Sequence, residues 1–199
     1  MRAIVCLFAA LGFAALAQDA GEGVRLYQSA NYEEAEKVLA AAVAQDPNNG
    51  QGQLYYGMAL LARKKPKDAE QAFRKADALI PGNAKVKAGL AGARIDQQRL
   101  DDASTFIQQA AGIDASDPDY LFQYGRLNLA RRKYQDAAGD LDKAASLQPG
   151  NAYAYYYGGL AYNGLGKLDQ ALRKFQMFLQ LAPNAPEATR VRALMGNVR

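Results

Sequence analysis

The 199-residue chain contains no histidine, no tryptophan and a single cysteine, Cys6. Without histidine, the usual proton-trading side chain near neutral pH and the commonest metal ligand are both missing. One cysteine cannot close an intramolecular disulfide, so no disulfide framework is available to hold the fold. No segment approaches the roughly 20 consecutive apolar residues needed to cross a bilayer. Paired acids occur at Glu33-Glu34 and Asp101-Asp102, but each pair opens a predicted helix, where acids favour the dipole, and neighbours in sequence face different sides. Gly164-Leu165-Gly166-Lys167 has a superficial likeness to a phosphate loop, yet Leu168 stands where Ser or Thr would hold magnesium. A turn between helices accounts for it better. No catalytic residue, cofactor or metal site is assigned, and an enzyme reading has no acid-base constellation to rest on.

What is present begins with residues 1–17. Arg2 is a short basic head, Ala3 to Leu16 is apolar, and Ala15-Leu16-Ala17 has the small-x-small pattern of a cleavage site. The segment predicts a cleavable secretory signal, and therefore an exported protein, periplasmic or secreted. Cys6 would leave with it, and it lies too early to be the lipidated first residue of a lipoprotein, so a soluble, unanchored product is expected. Loss of Arg2 takes the formal charge from +4 to +3, a mild excess. With 50% hydrophobic and 22% charged residues, the rest reads as a folded chain.

Several columns of residues recur every 34 positions. Ala35, Ala69, Ala103, Ala137 and Ala171 form one; Asn49, Asn83, Asp117 and Asn151 another; Gly23, Gly57, Gly125 and Gly159 a third, with Ala91 in the missing place; Pro47, Pro81, Pro149 and Pro183 a fourth. A period of about 34 residues marks a helix-turn-helix solenoid, in which no unit buries its apolar face until neighbours stack on it. In the second copy, Asn49 caps a helix carrying Gln53, Tyr56, Gly57 and Leu60 on one face. After the basic turn Arg63-Lys64-Lys65, Pro66 opens a second helix with Ala69, Phe73 and Ala76, which ends before Pro81-Gly82. Small residues on one helix let large ones on the other seat themselves, so Leu39, Phe73, Leu141 and Phe175 are the expected fillers.

These residues resemble the tetratricopeptide repeat family, in its exported type, over Gln18 to Pro183. The large-small-aromatic pattern appears as Tyr56-Gly57-Leu60 and Tyr124-Gly125, with the second-helix alanines and closing prolines above. The resemblance implies an all-α, right-handed α-solenoid of five repeats, at about 18–49, 50–83, 84–117, 118–151 and 152–183, plus a C-terminal capping helix at 186–199. The third copy departs most, with Ala91 for glycine, Arg94 where an aromatic or Leu is usual, and Ala115 for proline.

The resemblance also places the first helix of each repeat on an inner, concave surface. Those helices are apolar on more sides than the helix-helix joints require. Leu54, Met58 and Leu61 form an extra stripe, Phe122 and Leu129 flank Arg126, and Tyr153, Tyr156 and Tyr157 crowd together. Tyr56, Tyr124 and Tyr155 fall on the packing side. Exposed apolar patches mark interfaces, and tyrosine offers large contact area at small entropic loss. Leu54, Met58, Phe122, Arg126, Tyr153 and Tyr156 are therefore the expected groove contacts, and a peptide or helix of another protein the expected partner. A second reading has the inward tyrosines stack on the sugar rings of an exported polysaccharide. Basic residues gather at the turns, and Arg131, Arg132 and Lys133 could form an edge attractive to an anionic surface. The helix dipole explains cations there without any ligand. Nucleic acid is not an expected partner of an exported chain.

Overall fold

A computed structural model describes residues 20–196. The predicted signal segment, Cys6 and the last three residues lie outside them. Among the described residues there are eleven helices and no strand. Residues 20–28 belong to α1. Then follow α2 (Tyr32–Gln45), α3 (Gly50–Ala62), α4 (Pro66–Leu79) and α5 (Ala84–Asp96). The remainder are α6 (Leu100–Asp114), α7 (Pro118–Ala130), α8 (Tyr134–Leu147), α9 (Ala152–Gly164), α10 (Leu168–Leu181) and α11 (Ala188–Gly196). The chain divides into two compact units, one ending at Arg99 and the other beginning at Leu100. The division falls between the two helices of the third repeat, the copy whose sequence pattern is weakest. In the first unit α3 packs on α2, α4 and α5; in the second, consecutive helices pack from α6 to α11.

Local chemistry explains where the first helices begin and end. Every first helix from the second repeat on is capped by its column side chain. Asn49 Oδ1 accepts from Gly52 N–H at 2.7 Å, Asn83 from Lys85 and Val86, Asp117 from Asp119 and Tyr120, and Asn151 from Ala154. The turn into the second helix is equally regular. Ala30, Lys64, Gln98, Arg132 and Gly166 all have φ between 60° and 71°. The following N–H reaches back five residues in each case: Asn31 to Leu26, Lys65 to Leu60, Arg99 to Arg94, Lys133 to Asn128 and Lys167 to Tyr162. This left-handed residue plus its back-reaching bond is a Schellman closure, which satisfies carbonyls at the helix end. Gly166 is thus a turn residue, and the phosphate-loop likeness ends there.

The cores follow the expected small-large fit. An ideal Cβ on Gly125 would lie 2.6 Å from Leu141 Cγ, on Gly159 2.5 Å from Phe175 Cε1, and on Gly57 2.7 Å from Phe73 Cε1; Gly23 meets Leu39 in the same way. Phe73 also abuts Gly89 of α5, so its ring fills space left by two helices at once. Ala35, Ala69, Ala103 and Ala137 are fully buried. Such close packing leaves no room for a longer side chain at these points.

The third repeat's Arg94, doubtful as a core residue, is buried and reaches Glu70 of α4 at 2.5 Å. Arg74 and Gln97 donate to the same carboxylate at 2.9 and 3.0 Å. Burial opposes ionisation of Glu70, but these hydrogen bonds and the charges of Arg94 and Arg74 outweigh it and hold its carboxyl below the ordinary value. At the same column, Asn128 donates to Asp140 at 2.9 Å and Tyr162 to Asp142 at 2.6 Å. Where the first two repeats place Leu26 and Leu60, the last three place a polar side chain that carries its own partner.

Candidate partner-binding surface

The inward side chains of the first helices divide into covered and uncovered. In the first unit Leu54 is 0% exposed, because α3 has α2, α4 and α5 around it. Its expected place on an open groove is corrected: it is core. Met58, one turn on, is half-buried, as is Leu61.

In the second unit the aromatic residues form one continuous cluster. Phe122 of α7 lies 5.9 Å from Tyr157 of α9, centroid to centroid. Tyr157 lies 5.0 Å from Tyr156, and Tyr156 5.2 Å from Phe178 of α10. Tyr153 is 5.9 Å from Phe178, and its hydroxyl donates to Glu187 at 2.9 Å. Arg126 sits beneath this surface. Its guanidinium carbon is 5.7 Å from the Phe122 ring and 5.0 Å from the Tyr157 ring, and Nη1 donates to the buried Gln123 at 2.8 Å. A cation over two ring faces is attracted by their quadrupoles, the more so when desolvated.

Two expected contacts are therefore corrected here. Arg126 is 7% exposed and Tyr156 5%, so both are covered by the chain itself. Arg126 is under the rings, and Tyr156 is held among Phe178, Val191 and the other tyrosines. Burial pushes the Tyr156 hydroxyl above its ordinary pKa. Phe122 and Tyr153 are half-buried, and so is Tyr157, which the sequence grouped with its neighbours without selecting. Tyr157 stands one residue later in its repeat than Phe122 does in its own. That puts it outside the column that Leu54, Phe122 and Tyr156 share. The tyrosines expected to pack do so: Tyr56 against the Leu39 cluster, Tyr124 stacked on Tyr120 at 5.7 Å, and Tyr155 under Lys174 at 5.5 Å.

The basic turns are partly neutralised. Arg131 reaches Asp101 at 3.0 Å, the Leu100 carbonyl at 3.2 Å and Ser104 at 3.4 Å, tying α6 to the end of α7. Arg63 meets Glu33 and Glu36, and Lys65 meets Glu36 at 2.6 Å, in the first unit. Arg131 thus serves a structural joint, which corrects its place on a free edge; Arg132 and Lys133 are exposed. The exposed Arg63–Glu33 pair contributes little, about 0–1 kcal/mol.

Tyr162 has its hydroxyl pKa pushed up to about 12, first by donating to Asp142, then by burial. Asp140 is raised because burial outweighs its bond from Asn128. Asp140 lies in the joint of α7 with α8, and Tyr162 in the joint of α8 with α9. No helix among the described residues is long and apolar enough to cross a membrane.

Tetratricopeptide repeat family models match residues 21–84, 60–121 and 122–186. The chain belongs to the tetratricopeptide repeat family. No curated relative matches it. Among solved structures it is similar to TTC0263, a thermophilic tetratricopeptide repeat protein of Thermus thermophilus, at 17% identity and a TM-score of 0.72, covering 92% of this chain and 97% of that one. It is similar to pilF of Pseudomonas aeruginosa at 19% identity, TM-score 0.61, with 94% and 85% covered. YrrB, described as a tetratricopeptide repeat protein with an unusual peptide-binding site, aligns at 18% identity, TM-score 0.51, with 88% and 90% covered. At these identities the likeness is one of fold. The family's fold suits a protein-protein interaction scaffold rather than an enzyme.

Proposed function

We propose that this tetratricopeptide repeat protein grips a peptide or helix of a partner protein through the face made by Phe122, Tyr153 and Tyr157. The observation that carries the reading is that these three rings are only half-buried. They remain so while Arg126, Tyr156 and Phe178 are buried beneath them, so the rings are held in place before any partner arrives. Rigid aromatic side chains over a desolvated base are the composition of interface hot spots. In the same proposal residues 1–17 are a cleavable signal and the protein works in the periplasm or outside the cell. A role in envelope assembly, secretion or pilus biogenesis fits that placement. PilF and YrrB lend the reading support as relatives in fold. The protein works by binding, without catalysing a reaction.

Immobilised protein would be cross-linked to an envelope extract, captured proteins identified, and the capture repeated with Phe122→Ser and Tyr157→Ser. Both variants should lose the partner while keeping their helical signal. Saturable binding in a glycan screen without protein capture would favour the polysaccharide reading. Loss of capture only on reversing Arg132 and Lys133 would move the site to the basic edge.

A further inference from the structure

Repeated joints in one chain create a choice of neighbour that close packing alone does not make. The Gly57–Phe73 joint of the second repeat recurs as Gly159–Phe175 in the fifth, with an ideal Cβ 2.7 and 2.5 Å from the ring. Gly23–Leu39 of the first repeat recurs as Gly125–Leu141 in the fourth. Two residues past the glycines of α3 and α9, Ala59 and Ala161 are both fully buried. On these residues alone, α9 of one chain would seat against α4 of another in place of α3. Exchange of identical elements between chains is the usual hazard of such equivalence.

One column breaks it. Three residues on from the glycine column stand Leu26, Leu60, Arg94, Asn128 and Tyr162. Asn128, 3% exposed, donates to Asp140 of α8, the second helix of its own repeat. Tyr162, half-buried, donates to Asp142 of α8, the second helix of the preceding repeat, and Lys174 closes on the same carboxylate. The two acceptors are specific to α8. The places matching Asp140 in the other repeats hold Val38, Ala72, Phe106 and Lys174, and those matching Asp142 hold Ala40, Arg74, Gln108 and Gln176. With α7 seated on α2, Asn128 would therefore face Val38. With α9 in the place of α3, Tyr162 would face Ala40. Each misplaced group would be covered without its acceptor, whereas the leucines of the first two repeats carry no such requirement.

We propose that the Asn128–Asp140 and Tyr162–Asp142 bonds are a pairing code, which admits only the chain's own α7 and α9 to α8 and keeps folding chains from exchanging repeats. Replacing a whole buried polar pair by apolar residues is often neutral or stabilising, so what such a pair adds is the choice of neighbour. The inference stands apart from the scaffold reading, since neither pair belongs to the Phe122, Tyr153 and Tyr157 face.

The test compares the unaltered chain with a variant carrying Asn128→Leu, Asp140→Ala, Tyr162→Leu and Asp142→Ala, residue types drawn from the matching places of the first two repeats. Batches labelled at the amino terminus with a donor or an acceptor dye are mixed, unfolded in urea, refolded together and passed over a sizing column. The unaltered chain should return to its starting elution, with no more energy transfer than batches refolded apart and then mixed. The variant should regain its helical signal with an unfolding midpoint at least equal, and yield a larger, exchanged species with at least about tenfold more transfer. Each pair replaced alone should give intermediate exchange. Equal transfer in the variant and the unaltered chain would overturn the proposal. Loss of the helical signal or a lower midpoint would overturn it as well, because the bonds would then serve stability and not choice.

Discussion

Gly57→Ala and Gly139→Ala are the same chemical change in two helices, and the structure predicts opposite signs. Gly139 lies exposed in α8, and an added Cβ meets nothing within 4 Å. Alanine there should stabilise by about 0.5–1 kcal/mol through helix propensity alone. At Gly57 the same Cβ would stand 2.7, 2.8 and 3.0 Å from three atoms of the Phe73 ring. The ring is 0% exposed and cannot retreat, because Gly89 of α5 closes its other side. Overpacking of this kind costs about 1–3 kcal/mol, which exceeds the propensity gain, so Gly57→Ala should destabilise by about 1–2 kcal/mol net. In a domain of this size that lowers the melting temperature by several degrees, on the order of 2–4 °C per kcal/mol. Urea and thermal melts followed by circular dichroism measure both variants. Phe73→Leu, made on the Gly57→Ala background, should recover part of the loss, since a smaller side chain vacates the clash. If Gly57→Ala raised the midpoint as Gly139→Ala does, close packing at this joint would not be what glycine is for.

Glu70→Gln removes the carboxylate facing buried Arg94 and should cost about 3–5 kcal/mol in a urea melt; adding Arg94→Leu, the residue type at the matching Leu60, should restore most of it. The wild-type contribution of Glu70 is present above the ordinary carboxyl pKa and is lost as pH falls through its lowered folded value, so melts at pH 3 and pH 7 should differ less in the double variant. Tyr162 is neutral in the fold up to about pH 12, so stability it contributes is full below pH 10 and lost between about 10 and 12. Alkaline melts of Tyr162→Phe should lack that loss. Arg132→Gly relieves a left-handed residue with φ 60° and should stabilise by about 1 kcal/mol, whereas Gly166→Ala should do the reverse.

The period of 34 residues was enough to locate the helices, because capping and turn closure are local. Asn49 Oδ1 accepts from an N–H three residues ahead, and the Lys65 N–H donates to a carbonyl five residues behind, so each signal lies within a single short window of sequence. The glycine and alanine columns were legible for a related reason. A small residue facing a large one sixteen positions later, as Gly57 faces Phe73, repeats in phase wherever two helices meet in the same way. The pairing of Arg94 with Glu70 was not legible. It joins residues 24 apart, and it turned an apparent defect of the third repeat into a satisfied core.

The chain's own residues thus determined an all-α repeat fold, the helix boundaries and the small-to-large fit between helices. Which apolar side chains remain for a partner was decided in three dimensions. Leu54 and Tyr156 have the same apolar character and helical spacing as Met58 and Phe122, yet they are buried and the latter are not. Exposure depends on how many neighbouring helices surround a position, and α5 over α3 or α11 over α9 and α10 are contacts that no window of sequence contains. The same dependence laid Arg131 along α6, against the Leu100 carbonyl, Ser104 and Asp101, and left Arg132 and Lys133 in solvent. Periodicity sets which direction a side chain leaves its helix, and only the assembled neighbours set what it meets there.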